Sequence, residues 1–349
     1  MKYSICILAL AIGLSAFKVN AQIERKTSIK PSESTDGLVR PRMRIIIDND
    51  FGGDPDGLFQ LVHQVLSPSA EIRAIVGSHL KKGDPFDPSN QTATNAKKKA
   101  EEILGIMESS GRFPVYEGSN IALSNDTTAQ HSPAAQAIIN EAMRTDTDLP
   151  LYVICGAGLT DLASAYLLQP KIAEHLTLIW IGGPEYAGLA TPPPGYTSLE
   201  YNLGIDITAA KVIFNWSAIP IWQVPRNTYR QALMPYSELL LKVKPKGKTG
   251  KYLAAQIEGI MKMTAKFNLK IGETYIMGDS PLVLLTALQS SFEADPSSSQ
   301  YVTMRAPLIN SQGLYEVNNT GRNIRVYTQL DTRLLFEDFF AKLSLFHQK

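Results

Sequence analysis

The chain of 349 residues is 44% hydrophobic and 19% charged, ordinary for a globular protein and long enough for one large α/β domain. Its 34 basic and 33 acidic residues leave a formal charge of +1, which excludes the concentrated cationic surface that a nucleic-acid partner requires. The one basic cluster, "KVKPKGKTGK" at 242–251, is broken by Pro and Gly and is expected to be a solvated loop.

Residues 1–21 read as a secretory signal. Lys2 supplies the positive start, residues 5–17 an apolar core too short for a comfortable membrane span, and Val19-Asn20-Ala21 a cleavage site before Gln22. Cys6 lies inside the apolar core and not at the cleavage point, which argues against a lipid anchor. The mature protein is therefore expected to be exported, periplasmic or secreted, without membrane insertion. Processing removes Lys2 and Lys18 and no acid, so the formal charge of +1 becomes −1. Only Cys155 then remains, and no intrachain disulfide can form. Residues 22–42, polar and carrying Pro31, Ser32, Ser34 and Pro41, are expected to be a disordered leader ahead of a single domain at 43–349.

From residue 43 on, apolar runs rich in Ile and Val alternate with helical patterns. The strands predicted are 43–48, 72–77, 151–155, 176–183 and 219–224. Helices are predicted near 56–66, 94–109, 133–144, 159–168 and 207–215, then near 251–266, 279–290 and 334–346. Continuous apolar strands separated by helices specify an open, mostly parallel, Rossmann-like sheet covered on both faces. Ligands of such sheets bind beyond the carboxyl ends of the strands. The Ser-rich "DPSSSQ" (295–300) is expected to be a loop.

The first strand runs into "RIIIDNDFGGDPDGLFQLV" (44–62), with Asp48, Asn49, Asp50, Asp54 and Asp56 within nine positions. Crowded carboxylates repel unless a cation neutralises them or they share protons. Hard oxygens on a Gly-rich turn suit Ca²⁺ or Mg²⁺. An EF-hand fails, because Gly52 stands where a ligand is needed and no helix precedes the segment. An Asp-based, Mg²⁺-dependent phosphatase using Asp48 and Asp50 lacks the hydroxyl residue wanted where Phe51 and Gly52 follow. Capping of the helix near Pro55 explains one acid but not three.

The stretch resembles the N-terminal signature D-x-D-P-G-x-D-D-A of the inosine–uridine-preferring nucleoside hydrolase family. Further segments resemble that family in order: "SNQTATNAKKKAEEIL" (89–104), "FPVYEGS" (113–119), "GAGLTDLASAY" (156–166), "IWIGG" (179–183), "LEYNLGIDITAAKVIF" (199–214) and "MGDSPLVLLTAL" (277–288). The resemblance implies an N-glycosyl hydrolase acting on a nucleoside or related glycoside. It implies Ca²⁺ held by Asp50, by Asp54 or Asp56, by the main-chain carbonyl of Thr160 and by Asp279. It implies sugar contacts from Asn90, Glu200, Asn202 and the other acid of the 54–56 pair. Asp50 would take a proton from water, and a homo-oligomer is expected.

Two departures stand out. One residue is inserted within Gly53-Asp54-Pro55-Asp56-Gly57, and Gly278 replaces the family's leaving-group His. Gly278, together with Gly57 standing where a D-x-D-D variant would carry its last Asp, favours, as the alternative, an exported sugar- or nucleoside-binding protein that keeps the metal site without turnover. His79 and His131 are candidate leaving-group donors, with His79 nearer the ligand-binding edge. Asp206 is expected to cap a helix, and Trp180 and Trp222 to be core. The segment 184–198, rich in Pro and Gly, is a candidate lid carrying Tyr186 or Tyr196 over the base.

Overall fold

A computed structural model describes residues 38–266, 268–269, 271–289 and 299–348. The signal at 1–21 and most of the leader lie outside the described residues, as does 295–298 of the Ser-rich stretch. The chain enters the fold at β1 (Met43–Asn49), where Ile45, Ile46 and Ile47 are fully buried. Each contributes about 1.5–3 kcal/mol relative to exposure. β1 has apolar cores on both faces, which is why its sequence does not alternate.

The chain then alternates. It forms α1 (Asp56–Val65), β2 (Ala70–Gly77), α2 (Thr92–Ile106), β3 (Val115–Glu117), α3 (Pro133–Ala142), β4 (Leu151–Cys155), α4 (Thr160–Leu168) and β5 (Leu176–Ile181). Two short helices, α5 (Tyr201–Ile205) and α6 (Ile207–Lys211), precede β6 (Ile221–Val224) and α7 (Arg226–Tyr229). The later strands are β7 (Leu233–Pro235), β8 (Thr274–Ile276), β9 (Gln300–Arg305), β10 (Leu308–Ile309), β11 (Tyr315–Glu316) and β12 (Asn323–Gln329). The main sheet has eight strands in the order β3-β2-β1-β4-β5-β6-β12-β9, parallel except for β9 at its edge. This is the predicted open, mostly parallel α/β sheet. One core lies under α1, α2 and the helices Gly247–Lys266 and Thr332–His347, the other under α3, α4 and α6.

Several expectations need correction. The predicted helix at 207–215 is α6 followed by a wider π turn over Val212–Trp216. The helix near 279–290 is short, Pro281–Leu284, and relaxes into turns. The basic cluster is not a plain loop, for it enters the helix Gly247–Lys266. There Lys242 meets Glu238 and Glu337 at 3.0 and 2.8 Å, and Lys244 meets Glu258 at 2.5 Å. Trp180 is core, whereas Trp222 is half-buried between Tyr152 and Arg325. Cys155 is buried and free. Among the described residues no helix is long and apolar enough to cross a membrane.

Candidate active site

A cleft of about 240 Å³ opens where β1, β4 and β5 end. Asp50, Asp54 and Asp56 line it from the turn after β1, and Asp279 from the turn before helix Pro281–Leu284. Gly156 follows β4, while Glu200 and Asn202 stand at the start of α5. The sheet thus gathers residues more than two hundred positions apart at its carboxyl edge, as open α/β sheets do.

The acids are tied to one another without forming an ordinary helix cap. Pro55 is the N-cap of α1 and makes no side-chain cap bond. Asp56 Oδ2 accepts from the Asp279 N–H at 3.1 Å, and Asp54 Oδ1 accepts from the Tyr275 hydroxyl at 2.9 Å. Asn49 Nδ2 donates to Asp279 Oδ2 at 3.0 Å. Burial, then the carboxylates of Asp279, Asp54 and Asp84, hold Asp50 well above the usual carboxylate range. Asp56 is raised by burial and then by Asp279, Asp54 and Asp50. Burial lifts Asp279 to about 7 against the opposing Asn49 hydrogen bond. Asp54 stands exposed at the rim, where Oδ1 also accepts from the Asp56 N–H at 3.3 Å. The upward shifts are those of like charges sharing a low-dielectric site.

Among the described residues no three His, Cys, Asp or Glu side chains converge as a preformed metal cage. The donor chemistry nevertheless fits a hard cation: the carboxylates of Asp50, Asp54, Asp56, Asp279 and Glu200 line one cleft, and the buried Asn49 Oδ1 beside them lacks a hydrogen-bond partner. An opposite charge there would reverse every upward shift just described.

The remaining predicted residues divide. Glu200 is the N-cap of α5. Its Oε2 accepts the Leu203 N–H at 3.0 Å and the Gly183 N–H at 2.7 Å, and its Oε1 accepts the Tyr229 hydroxyl at 2.9 Å. Asn202 spends Nδ2 on the carbonyls of Ile181 and Gly156. Both line the cleft. Thr160 and Asn90 do not. Thr160 opens α4, buried, with its hydroxyl on Asp206 at 2.7 Å and beside His79 Nε2 at 2.8 Å. Asn90 is exposed on the loop before α2.

His79 is buried between the Leu80 carbonyl and Thr160, and His131 is exposed, so the structure brings neither imidazole into the cleft. Asp206 caps α6 through the Ala209 N–H. Of the two lid tyrosines, Tyr196 lines the cleft, while Tyr186 is buried with its hydroxyl on Gln223. Sequence reasoning missed Phe86, Tyr201, Tyr229, Arg230 and Ile276, which also line it. Tyr201 lies inside the 199–214 segment, between Glu200 and Asn202, while the others come from segments with no local pattern of their own.

Two glycines explain the departures from the family pattern. A Cβ at position 57 would stand 2.9 Å from Asn49 Oδ1, so an acid there would displace Asn49 from beneath the cluster. A Cβ at position 278 would stand 3.2 Å from both Asp56 Oδ2 and Tyr229 Cδ2, so a bulkier residue there requires that wall to give.

A mostly parallel α/β sheet with an acid-lined cleft at its carboxyl edge defines the class: an α/β protein with a candidate site beyond the ends of its strands. The chain belongs to the inosine-uridine preferring nucleoside hydrolase family, whose model matches residues 45–337. This is a family of N-glycosyl hydrolases. No curated protein sequence matches the chain. Among solved structures it is similar to a purine-preferring ribonucleoside hydrolase from Gardnerella vaginalis, at 18% identity and a TM-score of 0.66. A plant nucleoside hydrolase shares 18% identity with a TM-score of 0.64. An inosine-uridine preferring nucleoside hydrolase from Bacillus anthracis shares 15% with a TM-score of 0.61. Each similarity covers 87% of this chain and 99% of the other.

Proposed function

We propose that the chain is a Ca²⁺-dependent hydrolase that cleaves the N-glycosidic bond of a ribonucleoside in this cleft. What carries the reading is the gathering of Asp50, Asp54, Asp56 and Asp279 in one cleft of a chain that matches the family over 45–337. The cation would be held by Asp50, Asp279 and one carboxylate of the 54–56 pair. Bound there, Ca²⁺ supplies charge neutralisation, a lowered water pKa and an anchor for the sugar hydroxyls. The main-chain carbonyl of Thr160 is left out, since Thr160 does not line the cleft.

Asp50, at the floor of the cleft, accepts the proton of the attacking water. Oxygen attacks the anomeric carbon as the bond to the base nitrogen breaks and its electron pair leaves with the base. Glu200, fixed by three donors, offers a carboxylate to the positive charge that develops on the sugar. Asn202 has Nδ2 committed to backbone and keeps Oδ1 for a sugar hydroxyl. Tyr196 and Tyr201 offer aromatic faces to the base from the rim.

The test is release of reducing sugar from a panel of nucleosides with Ca²⁺, with chelator, and in Asp50→Asn. Release that disappears in the last two supports the reading. Gly278 favours a second reading, a non-catalytic binder; binding of nucleoside with no release would select it. Export on the signal at 1–21 is proposed with both, and N-terminal sequencing of the mature protein tests it.

A further inference from the structure

The walls of the cleft are acidic or neutral except at Arg230, the only cationic residue among the described residues that line it. Its guanidinium carbon lies 4.4 Å from the centroid of the Tyr196 ring, a cation–π contact that holds the side chain at the cleft wall. Its Nη1 is buried and has no hydrogen-bond partner. A buried donor left unmade is costly, more so when charged. Arg226, four residues earlier, is spent otherwise. It grips Glu185 through Nε and Nη2 at 2.8 and 2.5 Å and the Thr197 carbonyl through Nη1 at 2.9 Å, which ties down the 184–198 segment.

Position 278 sits against the same wall, since a Cβ there would meet Tyr229, the neighbour of Arg230. We propose that Arg230 serves the departing base in place of the histidine missing at Gly278, and that it thereby selects 6-oxopurine nucleosides. This rests on the hydrolase reading above. A guanidinium only donates and does not lose its proton, so it stabilises the leaving anion without protonating it.

The C1′–N9 bond breaks, and its electron pair passes into the purine, where N7 and O6 share the charge. Water supplies hydroxyl to C1′, its proton goes to Asp50, and the base takes a proton from solvent after departure. N7 and O6 are both acceptors at the spacing of the arginine fork, whereas adenine places an amino donor beside N7. Discrimination of about tenfold to a hundredfold follows from one such bidentate contact.

The experiment compares kcat/KM for wild type, Arg230→Gln and Arg230→Lys on inosine, adenosine and 4-nitrophenyl β-ribofuranoside, whose phenolate departs unaided. The wild type is expected to prefer inosine to adenosine. Both variants should lose about tenfold to a hundredfold more on inosine than on the nitrophenyl riboside, because a lysine point charge does not reproduce the fork and the phenolate does not call on it. Calorimetry should show hypoxanthine binding weakened in both variants. Equal losses on all three substrates, unchanged hypoxanthine affinity, preference for adenosine, or cleavage of the nitrophenyl riboside alone would overturn the assignment and leave the hydrolase standing. A wild type that cleaves none of the three overturns both.

Discussion

Asn49 at the end of β1 donates to Asp279 at 3.0 Å across 230 positions, while its own Oδ1 is buried without a partner. The amide is thus the floor on which the carboxylates rest. Asn49→Leu leaves an Asp279 oxygen buried and unpaired, at a cost of about 1–3 kcal/mol. Asn49→Asp should cost more in chelator, since it removes the donor and adds a like charge. Urea denaturation of the three proteins in chelator measures this. Midpoints unchanged in both variants would show that the bond does not hold the cluster.

Calcium should raise the melting temperature, by an increment equivalent to about 2.7 kcal/mol at a hundredfold excess over Kd. Asp279→Asn should abolish that increment and yet stabilise the metal-free protein, because one of the repelling carboxylates is gone. The pH dependence follows from the raised acids. Asp279 at about 7, and the buried Asp50 and Asp56, also raised, keep protons in the folded state that the unfolded chain has already released. The contribution of these acids to metal-free stability is therefore greatest at low pH and falls as pH rises from about 4 toward 7. Calcium displaces those protons, so its stabilising increment should grow over the same interval. Scanning fluorimetry with and without Ca²⁺ at each pH decides it; an increment independent of pH contradicts the site.

Far from the cleft, His63 Nε2 meets Asp338 at 2.7 Å, but Asp338 is already paired with Lys342 at 2.6 Å. Burial therefore dominates, and the imidazole is held down at about 4 despite its carboxylate neighbour. The unfolded chain takes up a proton near 6.5 that the folded chain refuses until about 4. Stability from this group is complete above pH 6.5 and lost as pH falls toward 4, at most on the order of 3 kcal/mol. His63→Gln should flatten that part of the acid limb, as read from denaturation midpoints between pH 4 and 7. A limb of undiminished slope would place the acid sensitivity elsewhere.

The sheet was legible because its central strands are buried on both faces and so read as unbroken apolar runs, as in 43–48 and 151–155. The edges were not. β12, "NIRVYTQ", mixes polar with apolar residues, and β3 has only three residues, so neither carries a period that stands out. The acid turn was legible because charge at the end of a buried strand demands an explanation. Asn49 gave no such signal, since an amide is at home anywhere. Tyr229 and Arg230 reach the cleft from α7 and the residue after it, and Tyr275 reaches Asp54 from β8, which pairs antiparallel with β7. Only tertiary packing places them. The chain does supply a residue to the leaving-group wall, but at a position that sequence spacing cannot connect to Gly278.

Gly183 links the end of β5 to the cleft. Its N–H donates to Glu200 at 2.7 Å, its carbonyl accepts from the Arg226 N–H at 3.0 Å, and its φ of +87° is one that L side chains rarely adopt. A Cβ there would also collide with the Tyr315 hydroxyl and the Gln223 amide. Those two groups are bonded to each other at 2.7 Å, and Gln223 also accepts the Tyr186 hydroxyl, so neither can swing aside freely. Gly183→Ala should cost about 2–4 kcal/mol, from backbone strain of about 1 kcal/mol together with overpacking of about 1–3 kcal/mol. Glu200 would lose its alignment with the sugar while Asp50 and Asp279 stay in place. The variant should therefore keep the calcium-induced rise in melting temperature and lose about tenfold or more in kcat on the nitrophenyl riboside, where no base contact is at stake. Loss of stability with full turnover would show that Glu200 only caps α5, and loss of the calcium response would show that the acid turn depends on this corner.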